Sequence, residues 1–355
     1  MIRGSSVLER ALLILFLVVG LVAPIGLGGP AFAAEGSAEW GPLELLERTI
    51  PPGEKLKFSY TRARTFEGAF LDTVVFAARG RNPGPTLCLT ALVHGDERNG
   101  FEVARKVFAD TDPKQLSGTL LVLPAVNMNG FRTGSRYMPD RRDLNREFPG
   151  SESGSNSSII AGILYRTARQ YCTALVDLHT GSFDRANLPQ IRVDLAHPRA
   201  LELAKSFGAP VVLGGAGPRG SLRREMMEGG VPSIIYEAGL PLRFEPAEIE
   251  KGYEGVRNVM IRMGMTRGRA TAATPDSRVF SRSRWLRVPL GMGGVFYPVK
   301  QLGERIVAGD EIAHVEDPFT DQRFVMRADE AGTVIGLAVP QVVFSGYALI
   351  HVAQP

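Results

Sequence analysis

A histidine and a glutamate lie three positions apart, directly after an apolar run. The run extends from Thr86 to Val93, His94 follows it, and Glu97 comes shortly after. Apolar runs of this length bounded by Gly and Pro are typical of buried strands. Both side chains should therefore emerge where a strand ends. An imidazole nitrogen and a carboxylate oxygen are donors that suit a zinc ion.

A second histidine follows another apolar run, residues 174–176, in the sequence Asp177-Leu178-His179. A pair spaced like His94 and Glu97 often arises by chance as a surface histidine beside a solvated glutamate, and His179 at a second strand end weakens that alternative. Two imidazoles and one carboxylate leave a coordination position for water, which is the ligand set of a catalytic zinc. We therefore predict one zinc ion per chain, held by His94, Glu97 and His179.

Two further carboxylates belong to the same strand ends. Glu237 follows the run Ile234-Ile235-Tyr236, and we predict that it is the general base that moves a proton from water to a leaving amine. The alternative is a carboxylate that caps a backbone turn. Asp177 shares a strand face with His179, so it either orients that ligand or has a plain structural role.

The long polar segment 127–150 is rich in Gly, Arg and Asn and contains Asp143-Leu144-Asn145-Arg146. Loops of this length inside a compact domain are usually functional. Arginine forms bidentate pairs with carboxylates, so we predict that Asn145 and Arg146 bind the α-carboxylate of an amino-acid substrate. Arg136 is predicted to stabilise a developing oxyanion, with Arg132 as the alternative. A loop of solvated arginines with local salt bridges is the non-functional interpretation.

The order of the predicted elements indicates the fold class. Apolar runs alternate with helical patterns over residues 34–264, which predicts an α/β three-layer sandwich with a mixed, mostly parallel sheet. Ligands of such sheets gather at the carboxyl ends of the strands, where His94, His179 and Glu237 are placed. A polar linker, residues 265–283, is followed by short strand-like runs that predict a small all-β domain over residues 284–355.

The first 33 residues carry the features of an export signal. Arg3 and Arg10 lie before an apolar run, residues 11–23, and small residues lead to Ala31-Phe32-Ala33. We expect cleavage after Ala33 and a periplasmic or secreted protein. An uncleaved membrane anchor is the alternative, although the run is short for a full span.

Composition excludes some classes of protein. The chain has 355 residues, 44% of them hydrophobic and 22% charged, which is ordinary for a globular protein. No basic block stands out despite a net charge of +4, so we expect no nucleic-acid partner. The partner we expect is a small molecule, and a homo-oligomer is left open.

The cysteines and the remaining histidines receive no chemical role. Cys88 and Cys172 each lie in or just before an apolar run, and we expect both to be free core residues, with a disulfide as the alternative for an exported protein. His197, His314 and His351 show no ligand spacing. They are interpreted as ordinary surface or satisfied core residues.

Four motifs in this order give the chain a family resemblance. They are His94-Gly95-Asp96-Glu97, Asp143-Leu144-Asn145-Arg146 with Phe148-Pro149-Gly150 after it, Asp177-Leu178-His179, and Glu237-Ala238-Gly239. From about residue 70 to the C-terminus the chain resembles the succinylglutamate desuccinylase/aspartoacylase family, which belongs to the zinc-carboxypeptidase-like fold group. Arg136-Tyr137 resembles the Arg-Tyr pair that precedes the second motif in aspartoacylase, although with a longer spacing here.

The resemblance implies a fold and an activity. It implies zinc ligands like His94, Glu97 and His179, a general acid/base like Glu237, and residues like Asn145 and Arg146 on the substrate carboxylate. It also implies a C-terminal domain like a lipoyl or biotinyl barrel-sandwich. The family's best-known members are cytoplasmic, whereas this chain carries an export signal, so a cell-envelope substrate is open.

Together these features predict zinc-dependent hydrolysis of the amide bond in an N-acyl amino acid or a small peptide. Two alternatives share the motifs. One is a metallocarboxypeptidase that trims cell-envelope peptides. The other is an exported binding protein that has lost catalysis and holds an acidic ligand in the same pocket.

Overall fold

The structure is a computed structural model that describes residues 40–60, 73–270 and 277–355. The predicted signal segment, residues 1–33, lies outside the described residues. Strands β1 to β10 of the described chain are Leu43–Leu45, Arg48–Ile50, Glu54–Tyr60, Thr73–Arg79, Asn82–Ala91, Ser117–Ala125, Ala174–His179, Arg185–Val193, Val211–Gly214 and Ser233–Gly239. Strands β11 to β19 are Arg278–Phe280, Arg282–Arg287, Gly293–Pro298, Arg305–Ile306, Glu311–Glu316, Arg323–Arg327, Gly332–Ala338, Val342–Phe344 and Ala348–Gln354.

Helices α1 to α6 are Asn99–Asp110, Met128–Thr133, Asn156–Tyr171, Pro198–Phe207, Leu222–Glu228 and Pro246–Arg262. No helix in the described ranges is both long and apolar enough to cross a membrane. A short 3-10 helix covers Leu144–Arg146. Five of these helices, namely α1, α3, α4, α5 and α6, correspond to the helical patterns that alternate with apolar runs in the sequence.

A sheet of 13 strands forms the centre of the fold. Its main path is β12-β19-β17-β8-β10-β7-β5-β6-β4-β3, with β9, β11 and β14 paired alongside. The four central strands β10, β7, β5 and β6 are parallel, and antiparallel strands flank them on both sides. The predicted mixed sheet is therefore confirmed, with its parallel part at the centre.

Helices cover both faces of this sheet. Apolar residues of α1, α4 and α6 pack on one face, among them Val103, Leu203 and Val256, and those of α3 and α5 pack on the other, among them Leu164 and Met226. Each helix turns an apolar stripe to the strands and a polar stripe outwards, because its apolar residues recur at helical spacing. The chain therefore forms the three layers that the sequence predicts.

The C-terminal part consists of strands, and residues 277–355 contain no helix. A second sheet, β16-β15-β13-β18, packs with β14, β17 and β19 around a core that includes Phe296, Ile312 and Leu349. The main sheet continues into this part, because β17 pairs with β8 and β11 pairs with β9. β11 lies within the predicted linker 265–283. The division into domains 34–264 and 284–355 stays a prediction, since one sheet joins the two parts.

The segment 127–150 is more ordered than the sequence suggests. It was expected to be a loop, but it contains α2 and the 3-10 helix. The Asn127 side chain caps α2 by accepting a hydrogen bond from the Gly130 amide, and Gly134 ends the helix with φ at 65°. Such short helices depend on caps rather than on a long apolar period, so periodicity does not detect them.

Cys88 and Cys172 form a disulfide, which corrects the expectation that both thiols are free. Cys88 lies in β5, and Cys172 follows α3 directly, two residues before β7. Because β5 and β7 are parallel neighbours, the two Cα atoms are 5.7 Å apart, within the range that a disulfide spans. The sequence does not show this proximity, because 84 positions separate the two cysteines.

Replacing both cysteines, in the double variant Cys88→Ala and Cys172→Ala, should lower the free energy of unfolding by about 4 kcal/mol, because the loop that the disulfide closes is long. Urea denaturation of the oxidised protein measures this loss. As the control, a reductant should lower the urea midpoint of the wild type and leave that of the variant unchanged. Equal midpoints for the oxidised wild type and the variant would contradict the pairing.

Candidate active site

The three predicted metal ligands lie at the same edge of the sheet. His94 comes shortly after the end of β5, and His179 is the last residue of β7. The two strands are parallel neighbours with Ala91 opposite Leu178, so their carboxyl ends meet. Between β5 and His94 the chain turns at Leu92, whose φ of 52° is rare for a branched side chain and reflects local strain.

Glu97 lies between the two imidazoles and contacts both. Its Oε1 is 2.8 Å from His94 Nδ1, and its Oε2 is 2.6 Å from His179 Nδ1. All three side chains are buried, and one ligand atom from each lies within 4.8 Å of the others. Both histidines thus direct Nδ1 towards a common centre.

The second ring nitrogen of each imidazole, Nε2, contacts a further carboxylate. His94 Nε2 is 3.1 Å from Asp143 Oδ1, and His179 Nε2 is 2.8 Å from Asp177 Oδ2. Asp177 is fixed in turn by the Thr90 hydroxyl, which donates to its Oδ1 at 2.6 Å. Carboxylates in this position set the tautomer and orientation of metal-binding histidines. Asp177 therefore has the contact expected of a residue that orients a ligand.

The electrostatics of the group favour positive charge at its centre. Burial raises the pKa of Glu97, but the neighbouring His94 and His179 outweigh it and hold this pKa well below its usual value. Burial lowers the pKa of His179, yet Asp177 and Glu97 raise it well above normal. Burial and the charge of Arg136 lower the pKa of His94, but Glu97 and the hydrogen bond to Asp143 outweigh them, so this pKa is raised. Buried nitrogen and oxygen donors in acidic surroundings fit a divalent cation, so His94, Glu97 and His179 could hold a metal ion.

Two glycines bring the backbone close enough for this geometry. A Cβ on Gly95 would lie 2.1 Å from the carbonyl carbon of Gly130 in α2, so only glycine lets the two segments meet there. A Cβ on Gly100 would lie 2.6 Å from the carbonyl oxygen of Leu178 in β7. The first turn of α1 can therefore pack on β7, which places Glu97 against His179.

Arg136 lies in the segment after α2, and its side chain reaches the candidate metal ligands His94 and Glu97. Its Nη2 pairs with Asp143 Oδ2 at 2.9 Å, and its Nη1 lies 3.2 Å from Glu97 Oε1 and 2.8 Å from Ser182 Oγ. Arg132, the alternative in the sequence, is exposed on α2 and does not line the cavity. The structure thus brings Arg136, and not Arg132, to the site.

Asn145 and Arg146 lie on the 3-10 helix at the cavity wall. Asn145 is buried, and its Oδ1 accepts a hydrogen bond from the Leu222 amide at the start of α5, 2.8 Å away. Arg146 is exposed, and its Nη1 donates to the Asn145 carbonyl oxygen. Asn145 therefore fixes the local backbone, while the guanidinium of Arg146 lies at the open side of the cavity.

Glu237 occupies the strand next to His179. In the parallel pairing of β10 with β7 the two residues are directly opposite. Asn187 Nδ2 donates to Glu237 Oε2 at 2.6 Å, and Arg192 Nη1 lies 3.3 Å from Oε1. Asn187 and Arg192 both belong to β8, which pairs with β10 on the other side. The carboxylate is thus oriented by its neighbouring strand.

All seven predicted site residues line one cavity of about 540 Å³. The same wall contains residues to which the sequence gave no role, namely Arg185, Asn187, Arg192, Arg223, Trp285, Arg287 and His351. The structure corrects the prediction that His351 is an ordinary surface or satisfied core residue. Its side chain is buried, yet its Nδ1 has no hydrogen-bond partner in the described chain. The sequence signal that could have indicated its position in the cavity wall was a polar residue within the apolar run that forms β19.

The chain matches a protein-family model and a curated relative. Residues 83–263, about half of the chain, match the model of the succinylglutamate desuccinylase/aspartoacylase catalytic domain. The chain belongs to this family. N-alpha-acetyl-L-2,4-diaminobutyric acid deacetylase of Halomonas elongata is 32% identical over 164 residues, 44% of this chain and 47% of that protein. The match thus spans about half the length of this curated relative.

Solved structures of the family share the fold over most of the chain. A succinylglutamate desuccinylase/aspartoacylase from Rhodobacter sphaeroides has a TM-score of 0.76 at 25% identity and covers 84% of this chain and 95% of its own. The product-bound ectoine utilization protein EutE from Ruegeria pomeroyi has a TM-score of 0.78 at 24% identity, and the match covers 89% of this chain and 98% of that chain. This coverage extends well beyond residues 83–263, which match the catalytic-domain model.

Replacing Asp143 or Asp177 by asparagine should weaken metal binding by about 10- to 100-fold, because each carboxylate orients a histidine of the group. Competition between the protein and a chromogenic chelator for zinc measures the affinity. Asp112→Asn is the control, because Asp112 is exposed in a turn and accepts a hydrogen bond from the Lys114 amide. An unchanged affinity in both variants would show that these contacts do not orient metal ligands.

Proposed function

We propose that this protein is a zinc-dependent amidohydrolase that removes the acyl group from an N-acyl amino acid. The observation that carries the proposal is the convergence of His94, Glu97 and His179 at the floor of a cavity that Glu237 also lines. Two nitrogen donors and one oxygen donor leave a position open to solvent, which is typical of catalytic zinc. When bound, zinc would polarise the substrate carbonyl and acidify a water molecule.

Glu237 is the residue that moves the proton in this proposal. Its carboxylate takes a proton from the water molecule as the water oxygen bonds to the carbonyl carbon. The same proton then passes to the amide nitrogen, the carbon–nitrogen bond breaks, and a free amine and a carboxylic acid result. Asn187 and Arg192 hold the carboxylate in place, so it does not have to be oriented during the reaction.

Arg136 and Arg146 bind charge in the substrate, and Asn145 supports Arg146. Arg136 Nη1 lies beside Glu97 and offers a positive group where the carbonyl oxygen becomes negative. Arg146 presents its guanidinium at the open side of the cavity, where it pairs with the α-carboxylate and so orients the amino-acid part. Asn145 keeps Arg146 in position through its contact with α5.

The relatives support amide hydrolysis as the reaction type. The matched region of the Halomonas elongata protein belongs to a deacetylase of an N-acetylated amino acid, and the family name describes removal of succinyl or acyl groups. These names favour deacylation over carboxypeptidase activity or mere binding. They make N-acetyl and N-succinyl amino acids the first substrates to test.

We also propose that the protein acts outside the cytoplasm. The export signal that the sequence predicts in residues 1–33 is one support. The disulfide between Cys88 and Cys172 is the other, because disulfides persist in oxidising compartments and are rare in the cytosol. The substrate would then be an acylated amino acid of the cell envelope or the medium.

The variant Glu237→Gln should keep its zinc content and lose at least about 100-fold in kcat, because an amide cannot take the proton from water. Zinc per chain by atomic emission and turnover of an N-acetyl amino acid are measured on the same preparation. Glu228→Gln is the control, because Glu228 is exposed at the end of α5 and pairs with Arg224. Near-normal turnover in Glu237→Gln would exclude Glu237 as the base.

Removing the metal with a chelator should abolish hydrolysis, and adding zinc back should restore it, if a metal ion held by His94, Glu97 and His179 is required.

A substrate assay compares N-acetyl and N-succinyl amino acids with dipeptides of the same side chains. Deacylation without dipeptide cleavage is the expected result. Preferred cleavage of dipeptides would identify a carboxypeptidase instead, and zinc binding without any hydrolysis would favour a binding protein.

A further inference from the structure

The cavity opens beside a half-exposed aromatic ring. Phe183 lies in the turn between β7 and β8, lines the cavity and is 47% exposed. Its backbone φ of 54° is rare for an aromatic residue and indicates local strain. Strain of this kind persists only where surrounding contacts impose it, and it is typical of binding and catalytic sites. The fold therefore places this ring at the cavity at a cost in free energy.

The C-terminal strands hold this turn in place. The Tyr347 hydroxyl donates to the Phe183 carbonyl oxygen at 2.7 Å, and the Val339 amide donates to the Asp184 carbonyl oxygen at 2.9 Å. Directly after the turn β8 pairs with β17, which fixes the direction of the chain. The position of the Phe183 ring is therefore set by contacts of the fold.

Apolar rings continue from Phe183 on both sides. The Tyr137 ring, also exposed, lies 6.5 Å from the Phe183 ring between centroids. On the other side the Phe344 ring lies 6.2 Å from the ring of Tyr347, the residue that contacts the Phe183 carbonyl. Phe344 belongs to β18 and is 68% exposed. The apolar surface thus extends from the cavity onto the C-terminal sheet.

The same surface reaches the turn before β13. Leu290 in this turn is 95% exposed, and the amide of the next residue, Gly291, donates to Ser345 Oγ at 3.0 Å. This hydrogen bond sets Leu290 beside Phe344. Isolated exposed apolar residues are ordinary, whereas a contiguous row that starts at a cavity indicates a ligand. We call this row the apolar strip, and it consists of Tyr137, Phe183, Tyr347, Phe344 and Leu290.

The apolar strip starts where the acyl group of the substrate begins. Arg136 Cζ lies 5.5 Å from the centroid of the Phe183 ring, and Arg136 Nη1 contacts the hydroxyl of the preceding residue, Ser182. In the proposed reaction Arg136 binds the carbonyl oxygen, and the acyl chain is bonded to the same carbonyl carbon. The α-carboxylate is bound by Arg146 instead. The acyl chain, rather than the amino-acid part, is therefore within reach of Phe183.

We propose that the apolar strip binds the hydrocarbon chain of an N-acyl amino acid whose acyl group is longer than acetyl or succinyl. Each methylene group that leaves water strengthens binding by about fourfold at most. A second copy of the chain would cover the exposed part of the strip, but the strip begins inside the cavity, where a protein surface does not reach. The inference rests on the proposed function, since it specifies the acyl group of that substrate.

The first test varies the acyl chain on one amino acid with the full-length zinc enzyme. The amino acid is the one whose N-acetyl form is hydrolysed fastest, and its N-acetyl, N-hexanoyl and N-decanoyl forms are compared. We expect kcat/KM to rise by about tenfold or more from acetyl to decanoyl. N-acetyl-L-alanine and N-acetyl-L-leucine form a second series that lengthens the side chain instead. A flat or falling acyl series would overturn the proposal, whether or not the side-chain series rises.

The second test removes the exposed rings one at a time. In Phe183→Ser the decanoyl-to-acetyl ratio of kcat/KM should fall to less than about threefold, mainly through a higher KM for the decanoyl substrate. Phe344→Ser should also lower this ratio, and it serves alone if Phe183→Ser does not fold. Phe319→Ser is the matched control, because Phe319 is 94% exposed in the turn between β15 and β16 and lies outside the strip. Wild-type ratios in both strip variants would contradict the proposal.

A binding measurement separates this proposal from the proposed function. Calorimetric titration of the zinc protein should give at least about tenfold tighter binding of decanoate than of acetate in the wild type and in Phe319→Ser, and not in Phe183→Ser. If this pattern appears but no substrate is hydrolysed, the strip binds the chain and the proposed function fails. If N-acetyl amino acids are hydrolysed while decanoate binds no better than acetate, the function stands and the strip proposal fails.

Sedimentation tests the other occupant of the strip. We expect Phe344→Ser to sediment as the wild type does at every protein concentration. A wild-type dimer that Phe344→Ser dissociates, together with a flat acyl series, would identify the strip as an interface between copies of the chain and would overturn the proposal.

Discussion

The sharing of one carboxylate by two imidazoles is the interaction on which the site depends. Glu97 contacts His94 through one oxygen and His179 through the other, although 82 positions separate Glu97 from His179. The parallel pairing of β5 with β7 makes this possible, since it brings both carboxyl ends to the same edge of the sheet. The disulfide links the same two segments, because it joins Cys88 within β5 to Cys172, two residues before β7.

Alternating charges fix the geometry around this centre. Asp143 and Asp177 lie behind the imidazoles, and Arg136 balances Asp143 and Glu97. Because these groups are buried or partly buried, each charge needs an opposite neighbour. The short helices of segment 127–150 are what place Asp143 and Arg136 there. The segment is therefore a structural wall of the site as much as a source of substrate contacts.

The candidate metal ligands and much of the cavity wall come from different parts of the chain. The metal group and Glu237 lie at the ends of the central parallel strands, whereas much of the cavity wall comes from β8, α5 and the C-terminal strands β12 and β19. Pairing of β17 with β8 brings β19 and β12 to the cavity. Under the proposed function, the reaction centre and the wall that contacts the substrate would therefore come from different elements.

The sequence by itself determined the fold class and the candidate site residues, because alternating apolar runs predict a sandwich and strand ends predict where His94, Glu97, His179 and Glu237 meet. Periodicity is a local signal, so it could not show which distant segments touch. Only the tertiary structure decided the disulfide, the carboxylates behind the histidines and the place of His351 in the cavity wall. Each of these depends on pairing between strands far apart in the chain, and that pairing is set by the packing of the whole sheet.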